Sequence, residues 1–154
     1  MKKIVIFTKK SNDAVPVTPL TKKDLKLWLE EQDERVKAFV KAQRFDATAQ
    51  SYLQIPDKDG YPMRVVVGMD KNDPLYTYSK IAKELPKRAY RIDAPLNEHQ
   101  ATQAAIGWAL GQYHFDQYMT QKNAAPNKLV VPEKADMIQV ESTIKAVTLV
   151  RDLV

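Results

Sequence analysis

The order of apolar and polar positions divides the chain into β-like runs alternating with helical ones. Residues 3–8 (KIVIFT) are β-branched and almost continuously apolar, the pattern of a strand covered on both faces. Pro16 and Pro19 then predict a break in the chain. Thr21 precedes Asp24 at capping-box spacing, and Leu25, Leu27, Trp28 and Leu29 predict a short helix after it. A second helical stretch runs from Asp33 through Val36, Phe39 and Val40 to Ala42. Residues 51–55 and 63–69 are strand-like and enclose Pro56-Asp57-Lys58-Asp59-Gly60-Tyr61-Pro62, a cluster of turn formers that predicts a β-hairpin.

Asp73-Pro74 places an N-cap and a first-turn proline before Leu75, Tyr78, Ile81, Ala82 and Leu85, a helix that Pro86 ends. A strand is expected over residues 87–92. Asn97, with Gln100 three residues on, opens the longest helix, which reaches to about Met119. Ala101, Ala104, Ala105, Gly107, Ala109 and Gly111 leave much of its surface small. A mid-helix glycine costs about 1 kcal/mol against alanine, so close approach of a sheet or another helix is expected there. Trp108, Phe115 and Met119 supply the bulk.

Residues 128–131 predict one more short strand, and Pro132 with Asp136 leads into a last helix. At 100° per residue, Met137, Val140, Ile144 and Val147 form one stripe, while Ile138, Ala146, Leu149, Val150 and Leu153 lie on the other side. A helix apolar on both sides is expected to be buried on both. No Gly, Asn or Pro terminates it before Val154, so the reading is of an N-terminal α/β domain over 1–135 and, over 136–154, the start of a helix that links to a further domain. Strands alternating with helices plus one hairpin predict an α/β fold: a mixed, largely parallel sheet of about five strands with helices on both faces.

Composition narrows the functional classes. With 154 residues, 44% hydrophobic and 28% charged, the chain has the length and make-up of one globular domain. The absence of cysteine removes disulfides, thiolate nucleophiles and cysteine-based metal sites. No apolar run approaches membrane-spanning length, and the cytoplasm is the expected compartment. The net charge of +5 lies entirely in residues 1–26, where seven lysines face Asp13 and Asp24. Lys2, Lys3, Lys9, Lys10, Lys22 and Lys23 are therefore the candidate nucleic-acid contacts, although a solvated, solubilising face is the plainer reading.

Catalytic chemistry is hard to find. His99 and His114 lie on one predicted helix, about 22 Å apart along its axis, and cannot share an ion. Asp57-Lys58-Asp59-Gly60 superficially resembles a calcium loop, but its twelfth position is Gly68 rather than Glu. The four glycines form no phosphate loop or dinucleotide fingerprint, and none of the serines sits in a nucleophile elbow. Glu30 and Glu31 read as solvated charges, and the tyrosines are scattered through several elements. No catalytic, cofactor-binding or metal-ligating residue is assigned.

The wording of the second half is more specific. Gly107-Trp108-Ala109-Leu110-Gly111-Gln112-Tyr113-His114-Phe115-Asp116-Gln117-Tyr118, then Lys128-Leu129-Val130-Val131-Pro132-Glu133, then the segment from Ala146 to Val154, resembles the stretch that links the two domains of the leucyl (cytosol) aminopeptidase family. Trp28, Phe45, the Asp59-Gly60 turn, Leu85-Pro86 and Tyr90-Arg91 are similar to that family's shorter amino-terminal domains, and His114 stands where an Arg is expected. The resemblance implies a macro-domain-like, non-catalytic domain that packs against its own C-terminal catalytic domain and helps shape a hexamer and its substrate access. It implies a parent that removes amino-terminal residues from peptides with two divalent ions, Zn, Mn or Mg, bound beyond Val154. Two other readings stand beside it: a DNA-binding module using the lysines above, and a macro-domain-like nucleotide binder.

Overall fold

The structure, a computed structural model, describes residues 6–70, 73–116 and 126–152, without the side chains of 113–116, 151 and 152. Lys2, Lys3, the first half of the first expected strand, Met119 and Leu153 lie outside the described residues, as does the side chain of His114. In chain order the elements are β1 (Phe7–Thr8), β2 (Val15–Leu20), α1 (Lys22–Glu30), α2 (Glu34–Ala42), β3 (Tyr52–Pro56), β4 (Pro62–Gly68), α3 (Pro74–Glu84), β5 (Ala89–Ile92), α4 (Glu98–Asp116), β6 (Lys128–Val130) and α5 (Met137–Asp152). Among the described residues six strands form one sheet in the order β1-β6-β5-β2-β4-β3, parallel throughout except for the β3–β4 hairpin. The expected α/β class holds, with one strand more than expected.

The added strand is β2, VPVTPL, at the centre of the sheet, where Pro16 and Pro19 predict a break. Proline cannot donate to a ladder and is confined to places where no donor is needed. Such places exist here. Val17 O accepts from Asp93 N on the β5 side and Leu20 O accepts from Met69 N on the β4 side. Backbone groups alternate along a strand, so Pro16 faces β4 and Pro19 faces β5. The β2–β5 register covers Val15 to Val17 and the β2–β4 register Val17 to Leu20. Each proline thus turns its missing N–H toward a neighbour whose ladder does not reach it.

The helix caps form as their spacing predicts. Thr21 Oγ1 accepts from Asp24 N at 3.1 Å and an Asp24 carboxylate oxygen accepts from Thr21 N, a complete capping box. Asp33 caps α2, and Asp73 caps α3 ahead of Pro74. Asn97 and Gln100 bond each other's backbone N–H at the start of α4. In the hairpin turn, Asp57 Oδ1 accepts from Asp59 N and Tyr61 N, and Gly60 takes φ 88°, which glycine adopts without steric cost. The calcium-loop resemblance is a turn.

Two cores flank the sheet. Val15, Val17, Val65, Val67, Tyr90 and Leu129 face Tyr78, Ile81, Ala82 and Leu85 of α3 and Ala104 and Trp108 of α4. Leu20, Ile55 and Val66 face Leu25 of α1 and Val36 and Val40 of α2. On that second face Arg91 and Lys128 are exposed, so among the described residues the helical cover stops short of β5 and β6. Arg64 of β4 donates to Thr18 Oγ1 and Asp93 Oδ2, both at 2.6 Å, satisfying the buried Thr18 and tying three strands together.

A third layer lies outside α4. Val140 of α5 is fully buried against Ala105, Ile106 and Leu110, with Met137, Ile144 and Val147 partly buried beside it. These are the four positions of the predicted stripe.

The small surface of α4 meets α3. A methyl added at Gly107 would stand 2.5 Å from Leu75 O, and one at Gly111 would stand 2.2 Å from Ser79 O. The neighbour is a helix backbone with no flexible end to give way, which explains why glycine is needed at both turns.

Burial also sets the alkaline limit of the fold. Tyr90 is 1% exposed, its ring 5.6 Å from that of Trp108, and its hydroxyl donates to Pro86 O at 2.6 Å. Loss of water around the phenol pushes its pKa up to about 12, and burial raises that of Tyr78 further still. Both folded values lie above that of an unfolded tyrosine, about 10. The stability they contribute is intact below pH 10 and is lost as pH rises through about 12. Thermal unfolding followed from pH 9 to 12 should therefore show a falling midpoint, and Tyr90→Phe should make the fall shallower. An equal fall in both proteins contradicts this assignment.

Candidate functional site

The carboxyl ends of β2, β4 and β5 are where an open α/β sheet offers a ligand crevice, because the connections from neighbouring strands leave in opposite directions. A crevice of about 910 Å³ lies there, between Pro19, Met69, Leu75, Tyr78 and Leu96. Its polar lining includes Asp24, Asp70, Asp73, Asn97, His99 and Gln100. Three helices begin around it, and their first-turn N–H groups are anion donors in principle. In each helix one of them, the N–H of Asp24, Tyr76 or Gln100, is already taken by the cap side chain of Thr21, Asp73 or Asn97. Three carboxylates beside them oppose an anion further.

Among the described residues no three of His, Asp or Glu stand close enough together to hold a metal ion. A two-metal centre therefore does not fit the described side chains, and His99 is one of several polar residues that line the crevice. Glu30 and Glu31 are exposed at the end of α1, as solvated charges would be.

Of the six candidate lysines, four are described, and all four are exposed. Lys9 and Lys10 follow β1 at one edge of the sheet, whereas Lys22 and Lys23 open α1 after β2. Three strand spacings, about 14 Å, separate those two strands. The four described lysines thus form two pairs that follow the carboxyl ends of two parallel strands.

The outer side of α5 differs from both. Ile138 is 81% exposed, Leu149 62% and Val150 61%, opposite the stripe that packs on α4. The expectation that both sides are buried is not met within this chain.

One residue escaped the sequence reading altogether. Asn127 is fully buried just before β6. Its Nδ2 donates to Ala82 O at 3.0 Å and Leu85 O at 2.8 Å, carbonyls at the end of α3, while its Oδ1 accepts from Arg88 N at 2.8 Å. Its backbone O accepts from Trp108 Nε1 at 2.9 Å and Gln112 Nε2 at 2.8 Å. One asparagine thus caps a helix from outside and pins α4 to β6. Gly107, Trp108, Gly111 and Gln112, which carry the family wording, are packing and anchoring residues.

The fold is similar to the crystal structure of cytosol aminopeptidase from Coxiella burnetii, with a TM-score of 0.78 and 24% sequence identity over 91% of this chain. The alignment covers 31% of that protein, so the chain spans less than a third of its length. No curated protein matches. A family model described as the M17 aminopeptidase N-terminal domain matches residues 15–132, three quarters of the chain, and the chain belongs to that family.

Proposed function

We propose that this chain is the non-catalytic N-terminal domain of a two-metal, leucyl-type aminopeptidase of the cytoplasm, and that its work is packing. The parent releases amino-terminal residues from peptides. Its two divalent ions, zinc, manganese or magnesium, belong to the catalytic domain. Residues 1–135 form the packing body and 136–154 the connection to that domain. Through this contact the domain shapes substrate access and contributes to the edges of a hexamer.

The observation that carries the reading is the two-sided α5. One side holds Val140 in the core, and the other presents Ile138, Leu149 and Val150 to solvent, an apolar surface suited to a second protein layer. The DNA reading of Lys2, Lys3, Lys9, Lys10, Lys22 and Lys23 has less support, because the described lysines form two pairs on strands about 14 Å apart and no other described feature favours a nucleic acid. The nucleotide reading has less again, given the carboxylates around the crevice.

Ile138→Asp combined with Leu149→Asp tests the proposal. Both positions are exposed, so the isolated domain should unfold within about 0.5 kcal/mol of the parent sequence. Hydrogen exchange in α5 should slow when the parent's catalytic domain is added to the unaltered protein, and should not slow for the double variant. Unchanged exchange in the unaltered protein would sink the docking role of this face.

A further inference from the structure

We draw no further inference here: the strongest candidate, the crevice at the carboxyl ends of β2, β4 and β5, offers only an acidic cluster and capped helix N-termini, with no second observation that identifies a ligand.

Discussion

Replacing Asn127 with alanine is expected to destabilise the domain by about 3–5 kcal/mol, a large part of the 5–15 kcal/mol typical of a whole domain. The side chain satisfies Ala82 O, Leu85 O and Arg88 N, and alanine removes all three partnerships at once. Each unpaired buried backbone group costs about 1–3 kcal/mol, partly relieved where water enters. The backbone carbonyl that holds Trp108 and Gln112 remains, so α4 keeps its anchor while the end of α3 loses its cap. Urea unfolding should therefore show a midpoint lowered well beyond that of a surface control, with the slope unchanged. Asn127→Asp should not restore it, because a carboxylate offers acceptors where Ala82 O and Leu85 O need donors. A loss below about 1 kcal/mol for Asn127→Ala would mean that these bonds do not carry the junction.

The second large effect reverses an ordinary rule. In an exposed helix, Gly→Ala stabilises by about 1 kcal/mol. At Gly111 the new methyl would meet Ser79 O at 2.2 Å, so α3 and α4 must separate. Overpacking of this kind typically costs about 1–3 kcal/mol, and the shift also loosens Gln112 on Asn127. Gly111→Ala is expected to lower the thermal midpoint, and Gly111→Val to lower it further. Gly60, where an added methyl would meet nothing within 4 Å, supplies a control in which only the positive φ is strained. A raised midpoint for Gly111→Ala would show that the two helices are not held at this distance.

Both positions bear on what a sequence discloses. Local chemistry was legible: Thr21 with Asp24, Asp73 with Pro74, and Asn97 with Gln100 all form the caps that their spacing announces. So was periodicity, since Val140, Met137, Ile144 and Val147 pack as one stripe. The small residues of α4 announced a close neighbour without saying that it would be α3.

What was not legible depends on partners distant in sequence. Asn127 looks like a turn residue between Pro126 and Lys128, and its bonding partners lie about 40 residues away. Pro16 and Pro19 read as breakers because a single strand does not reveal where its neighbours begin and end. Their tolerance in β2 follows from two registers that overlap only at Val17. For the candidate site, the sequence read residues 57–60 as a hairpin turn, which the structure shows, but the crevice arises from three strand ends that only the sheet order brings together.

The central claim is that the domain packs and does not catalyse. Purified protein of residues 1–154, tested with leucine amide and with zinc, manganese or magnesium by calorimetry, addresses it directly. The expected result is no hydrolysis above that of buffer and no metal binding at micromolar affinity. Turnover that tracks the protein through purification, or a stoichiometric micromolar metal site, would contradict the account.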